Sequence, residues 1–327
     1  MHETNTSGIM SEPIRVFFAS DVHGSEKVWA KWLAVPQFYQ VQVLIFAGDL
    51  TGKVVVPIVE KPNGTYTCRA FGQKFEASSK QGAEEIEEKI RFSGYYPFYA
   101  TPAQVEELKT DKKKVDALFE KLMVEGIERW MKLVEEKVPK ETTVIVMPGN
   151  DDSFAIDEAI KASQRVIYPL DKAVPLCFDF EMISMDWTNL TPWDTPRECK
   201  EDDLMKKIQD QGKKITTDWS KVICNFHCPP YGTKLDLAPE LDKNLKVKSD
   251  VSGTKFKHVG SESILTYIKE HQPLLGVHGH IHESAGMENI GRTLCFNSGS
   301  EYGEGILKGA VFEFTENGLA QWWPTSG

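Results

Sequence analysis

The sequence contains no CxxC pair, no apolar run of membrane-spanning length, no surplus of positive charge, and no internal repeat or low-complexity tract. Each absence excludes something. The six cysteines (Cys68, Cys177, Cys199, Cys224, Cys228 and Cys295) are scattered. Cys224 and Cys228 stand four apart, but no second thiol pair at ribbon spacing follows, which rejects a zinc ribbon. Scattered thiols fit a reducing cytosol, so a cytoplasmic location is expected. The N-terminal MHETNTSGIMSEP is polar and lacks the apolar core of a secretory signal. A spanning helix needs about 20 apolar residues, and no run approaches that. Lys and Arg number 38 against 48 Asp and Glu, a formal net charge of -10. Non-specific nucleic-acid binding needs a basic surface and is disfavoured.

What is present is a chain of 327 residues with 41% hydrophobic content, enough for a real core. Residues 1–12 read as a loose tail and 13–327 as one large α/β domain, with 53–140 as an inserted hairpin and helical subregion. Ile14–Ala19 reads as a strand. A helix from Ser25 to about Val35 follows, stopped near Pro36, and Val41–Ala47 is the next strand. Strand–helix–strand is the unit of a parallel sheet, whose functional groups collect at the carboxyl ends of strands. In the insertion, Asn63-Gly64 between two β-rich runs predicts a hairpin. The aromatic knot Tyr95–Tyr99 reads as packing in preference to a substrate-stacking surface or a dimer seam. Thr101-Pro102 starts a helical pattern that runs to about Lys137, with Leu118, Leu122, Ile127, Trp130 and Val134 at core-facing spacing. Further strands are read at 142–147, 175–186, 221–226, 274–277, 292–296, 309–315 and 319–323.

Five strand ends then carry metal-type ligands. They are Asp21 with His23, Asp49, Asn150, His227, and His280 with His282. The last pair lies in the stretch LLGVHGHIHES, where an apolar run breaks at Gly279 and two imidazoles fall two residues apart. Neutral imidazole is the commonest side-chain metal ligand. A lone Asp after a strand is usually a turn former, so the order and placement of the whole set carry the reading. His278 reads as a residue behind the ligands. His271 reads as a surface residue. Lys243, Lys246, Lys248, Lys255, Lys257 and His258 gather in a polar loop over 231–258, read as solvated surface in preference to an anion-facing loop. Backbone amides where His258-Val259-Gly260-Ser261 opens a helix offer a phosphate site, with Lys255 and Lys257 beside it.

The order DxH, GD, GN, H, GHxH resembles the calcineurin-like metallophosphoesterase family. It stands here as Asp21-Val22-His23, Gly48-Asp49, Gly149-Asn150, His227 and Gly279-His280-Ile281-His282. The Asn297-Ser298-Gly299-Ser300 turn is similar to the family's NPGS turn, with Ser298 in place of proline. The resemblance implies two mixed β-sheets packed as a sandwich flanked by helices. It also implies two divalent ions at one end. Asp21, His23 and His282 would hold the first ion and Asn150, His227 and His280 the second, with Asp49 bridging both. Mixed oxygen and nitrogen donors suit manganese, iron, zinc or nickel, manganese being favoured. A two-metal site clamps both oxygens of an in-line displacement and lowers the pKa of a bridging water. The expected activity is hydrolysis of a phosphodiester or small phosphomonoester by attack of that bridging hydroxide, with no need of a Ser or Cys nucleophile. Gly48, Gly149 and Gly279 would let backbone run close to the ions.

The chain departs from the pattern after Asn150. Many members place histidine there as a candidate general acid, whereas this chain has Asp151-Asp152. Unperturbed Asp is ionised at neutral pH and is a poor acid. Asp151 reads as a helix-cap or supporting residue, with His258 as another candidate donor. Two other readings stand beside the hydrolase. A metal-dependent nuclease would need a basic groove, and a non-catalytic metal-binding scaffold would have lost ligands. The partners expected are a small phosphorylated substrate and, in a homo-oligomer, further copies of the chain; neither a membrane nor a nucleic acid is expected.

Overall fold

A computed structural model describes residues 12–250 and 253–327; the expected tail 1–12 lies, but for its last residue, outside them. Alternation in the first strand sets the layers. In Ile14–Ala19, Val16 and Phe18 face one side and Phe17 and Ala19 the other, because successive strand side chains alternate. Phe17 and Ala19 join Trp29 and Trp32 of the helix Glu26–Tyr39. Val16 and Phe18 instead meet Met182, Ile223, Val277 and Phe296, which come from a second sheet.

Both sheets are six-stranded and mixed. In the first, Ile14–Ala19, Val43–Ala47 and Thr143–Met147 pair in parallel, and Lys308–Thr315 pairs antiparallel to Ile14–Ala19. In the second, Phe180–Met185, Val222–Phe226, Leu275–His278 and Thr293–Asn297 pair in parallel. Its outer face is covered by the helices Glu201–Gly212 and Glu262–His271, through Leu204, Ile208, Ile264 and Ile268. The architecture is therefore the expected two-sheet sandwich flanked by helices.

Three local expectations are corrected. The first helix does not stop near Pro36 but runs to Tyr39. Val35 and Pro36 are buried, so tertiary packing offsets the backbone hydrogen bond that proline removes. The stop is at Gln40, whose φ of +54° breaks the helix. The long helix is two, Pro102–Thr110 and Lys112–Lys137. Asp111 leaves the helical region, and its carboxylate caps the second by accepting the Lys114 N–H at 3.2 Å. The 231–258 segment is not all loop, since Leu237–Pro239 pairs with Phe256–His258.

Residues 55–100 form a four-stranded sheet with a small core of Val56, Ile58, Tyr66, Ile86 and Ile90. The Asn63-Gly64 hairpin joins Val55–Glu60 to Tyr66–Ala70 as expected. This sheet is fixed to the strand-end loops. The Tyr96 hydroxyl accepts the Gly52 N–H at 3.0 Å, and the Ser25 hydroxyl donates to the Phe92 carbonyl at 3.1 Å.

Candidate functional site

The parallel strands of both sheets end at one edge, and the loops that follow carry the candidate ligands. Backbone conformation there is unusual. Asp21, His23, Asp49 and His280 all have positive φ, at +58°, +42°, +51° and +67°. Such conformations cost energy in non-glycine residues and cluster at functional sites. Gly149 and Gly279 make the close approach work. A Cβ on Gly149 would overlap Asp49 Oδ1, and one on Gly279 would overlap Asp21 Oδ2. The expectation that these glycines bring backbone close to the site is refined: what they admit is the ligating side chains themselves.

Asp21, His23 and His282 form one group whose ligand atoms lie within 4.8 Å of one another, and Asp49, His227 and His280 form a second. His23 Nε2 and His282 Nε2 face each other at 3.1 Å, and His282 Nε2 is 3.5 Å from Asp21 Oδ1. Asp49 stands between the groups. Its Oδ2 is 3.6 Å from His23 Nε2, and its Oδ1 is 3.3 Å from His227 Nε2. Asp21, His23, Asp49, Asn150 and His227 are buried, while His280 and His282 are partly open to solvent.

Supporting bonds aim these groups. His227 Nδ1 donates to the Ala47 carbonyl at 3.0 Å, which directs Nε2 into the cluster, where it has no hydrogen-bond partner. Asn150 Nδ2 donates to Thr195 Oγ1 at 2.8 Å, which leaves its buried Oδ1 unpartnered. The amide is therefore engaged with Thr195 and not directed at a substrate. Buried acceptors without partners are costly unless something else satisfies them. The orphaned Nε2 and Oδ1, two buried carboxylates and four imidazoles form a donor set that fits divalent cations. Several of these Asp/His groups could hold metal ions.

The electrostatics fit that reading. Burial raises Asp49, but the facing His227 and His23 outweigh it and hold the carboxyl well below its usual range. Burial lowers His227, yet the Asp49 carboxylate and its hydrogen bond raise it to about 10. Burial dominates at His23 and His280, which fall to about 3 and about 4 and stay neutral.

The remaining candidates separate. Asp151 is not a helix cap, because Ser153 accepts the Ala155 N–H and caps that turn. Its N–H donates to Asp49 Oδ1 at 3.1 Å, and its carboxylate pairs with Lys53 and lies 3.9 Å from His23 Nδ1. Burial and the Asp49 charge raise it to about 6. His258 is not brought into the cluster. It is exposed, and its Nδ1 lies 2.7 Å from Asp236 Oδ1. Among the described residues no hydrogen bond or ion pair found joins it to the ligands. The helix opening at Ser261 does not present free amides. The Glu201 carboxylate accepts the N–H groups of Glu262 and Ser263 at 3.1 and 3.0 Å, and the Ser261 hydroxyl donates to it at 2.8 Å. His278 lies behind the site, its Nδ1 donating to the Phe226 carbonyl at 2.8 Å.

Sequence reasoning missed Lys53, Asp152 and Arg197. Asp152 accepts from the N–H groups of Leu50, Thr51 and Gly149 and from the Thr51 hydroxyl, so one carboxylate ties the Asp49 loop to the Asn150 loop. The acidic doublet after Gly149-Asn150 was the available signal. Arg197 is fully buried, pairs with Asp186 and Asp157 at 2.6 Å each, and donates to the Asp152 carbonyl. Arg197→Met is expected to destabilise the fold by about 3–5 kcal/mol, since it strands buried carboxylates; urea denaturation measures this. The Asn297–Ser300 turn closes the cluster from the other side. The Ser300 hydroxyl donates to the Asp21 carbonyl at 2.6 Å, and the Ser20 and Ser298 hydroxyls are 2.8 Å apart.

No family model matches the sequence. The uncharacterized protein MJ1162 of Methanocaldococcus jannaschii is 29% identical over 174 residues, which are 53% of this chain and 70% of that one. One crystal structure covers 96% of this chain and 98% of its own, with a TM-score of 0.57 and 17% identity. TT1561 of Thermus thermophilus covers 93% of this chain and 99% of its own, with a TM-score of 0.50 and 10% identity. These structural likenesses show the fold, a helix-flanked pair of mixed sheets of the metallophosphoesterase-like kind.

Proposed function

We propose that this chain is a two-metal phosphohydrolase that cleaves a phosphodiester or small phosphomonoester. The observation that carries the reading is the meeting of seven side chains from five separate strand ends, with Nε2 of His227 and Oδ1 of Asn150 buried and unpartnered among them. Asp21, His23 and His282 would hold one ion, Asn150, His227 and His280 the other, and Asp49 would offer one oxygen to each. When bound, such ions supply Lewis acidity toward phosphoryl oxygens and an activated water. The chain's own residues do the rest. Ala47 and Thr195 orient His227 and Asn150, and Asp152 fixes the two loops relative to one another.

Lys53 enters where the resemblance expects a histidine. Its ammonium is held against Asp151 at the rim of the cluster, half exposed. In this reading Lys53 sets positive charge where negative charge develops on the departing or non-bridging oxygen, and Asp151 positions it. Asp151 is then not the essential acid, and His258 is assigned no role. Manganese remains the favoured ion, with iron, zinc and nickel the alternatives. The six cysteines are all free, in keeping with a reducing cytoplasm, and among the described residues no helix is long and apolar enough to cross a membrane.

The test uses metal-stripped protein reloaded with manganese and a matched pair of aryl phosphates, one monoester and one diester. Metal-dependent turnover that disappears in Asp49→Asn is expected. Failure to bind any divalent ion would end the enzyme reading, and two tightly bound ions without turnover of either ester would point to a narrow specificity.

A further inference from the structure

Beside His282 a cleft of about 620 Å³ opens between the four-stranded insertion and the loop that follows Ser300. Its walls are unlike the cluster it adjoins. From the insertion come Phe71 and Tyr95, and from the loop comes Tyr302, whose ring lies 5.8 Å from that of His282. Phe71 occupies the tip of a two-residue hairpin between Tyr66–Ala70 and Gln73–Ala77, at φ +53°. That position favours Asn, Asp or Gly, and a bulky aromatic residue rarely adopts it. The ring stacks on Tyr95 at 5.1 Å and is still 43% exposed. A strained turn that holds up a half-bare aromatic ring is poorly explained by packing. It is well explained by a surface offered to a ligand.

Charge identifies the ligand. The cleft's carboxylates are Glu283, Glu301 and Glu304, and its one lysine, Lys308, is paired with Glu301. Glu283 and Glu304 are exposed, and no ion pair of either is found among the described residues; Lys27 reaches the Glu304 carbonyl oxygen and not its carboxylate. An aromatic wall with unpaired carboxylates repels a second phosphate and attracts a positive group. It is the chemistry that recognises alkylammonium ions. Resting on the phosphohydrolase reading, we propose that the substrate is a phosphodiester whose second alcohol carries an alkylammonium group. The phosphate would lie at the Asp/His cluster and the ammonium in this cleft, against Phe71 and Tyr302 and facing Glu283 and Glu304.

The test compares three diesters on the manganese-loaded full chain. They are p-nitrophenyl phosphocholine, its neutral isostere with carbon in place of the quaternary nitrogen, and the p-nitrophenyl ester of thymidine monophosphate. In each, water adds to phosphorus as the bond to nitrophenolate breaks, so the chemistry is shared and only the second group differs. The choline ester is expected to exceed the isostere in kcat/KM by about tenfold. Phe71→Asn should erase most of that preference while folding at least as well, because Asn suits the turn. Glu283→Gln with Glu304→Gln should do the same. Equal rates for the isosteric pair, or a preference for the nucleotide, would overturn the proposal. Hydrolysis of none of the three would count against the phosphohydrolase reading. Calorimetry with tetramethylammonium then judges the cleft alone. Saturable binding that Phe71→Asn removes upholds it, and no binding refutes it.

Discussion

Asp49→Asn is expected to lower phosphoester turnover by about 10³-fold or more and to reduce bound metal below two ions per chain. The size follows from what the carboxylate does. It presents one oxygen toward His23 and the other toward His227, so a single charge serves both groups of ligands. Lewis-acid stabilisation is worth several kcal/mol of barrier, and each 1.36 kcal/mol is tenfold in rate. Asparagine keeps one oxygen and the size but loses the negative charge that both groups share. It is also a clean substitution for the backbone. Position 49 has φ +51°, and Asn is among the few residues that tolerate that region. The Asp151 N–H that donates to Oδ1 can donate to the amide oxygen instead. The folded structure should therefore persist, with metal content read by elemental analysis and folding by circular dichroism. Full turnover with two bound ions in the variant would remove Asp49 from the chemistry.

The sandwich was legible because its strands are short apolar runs that end in conspicuous turns, and because the pattern of glycines with Asp, Asn and His marks those turns. The four-stranded insertion sheet was only partly legible. Asn63-Gly64 announced one hairpin, but the Phe71-Gly72 tip carries an aromatic residue where turn chemistry calls for Asn or Asp, so nothing in composition marks it. Pro36 misled because burial outweighs its local cost. Asp111 was unremarkable in a polar helical run, and its role as a cap depends on a backbone angle that no periodicity reveals. Within the site, each candidate ligand followed a strand and could be found one strand at a time. Lys53 and Arg197 could not be found that way. Both are partners of carboxylates about a hundred or about forty positions away, and only the fold brings them together. His258 erred in the opposite direction. A histidine near a lysine-rich loop looked chemical, while its real neighbour, Asp236, organises a surface turn through the N–H groups of Gly232, Thr233 and Gly260.

Lys53→Met should lower kcat by about 10²-fold with KM changed little, in line with loss of one preorganised donor at a developing negative charge. The side chain is half exposed, and its ammonium touches Asp151, so its removal disturbs no core packing. Which oxygen it serves can be read from the leaving group. If Lys53 faces the departing oxygen, the loss grows as the leaving group worsens, from p-nitrophenyl to phenyl esters. If it faces a non-bridging oxygen, the two esters lose equally. Asp151→Asn tests the positioning arm. The amide still reaches Lys53 but no longer holds it by charge, so a smaller loss is expected than for Lys53→Met. The double variant should then be no slower than Lys53→Met alone, because residues that act through one another are not additive. Losses that simply multiply would mean that Asp151 acts on its own. An Asp151→Asn enzyme as slow as Lys53→Met, with the loss confined to poor leaving groups, would restore Asp151 as the proton donor and reduce Lys53 to its counter-ion.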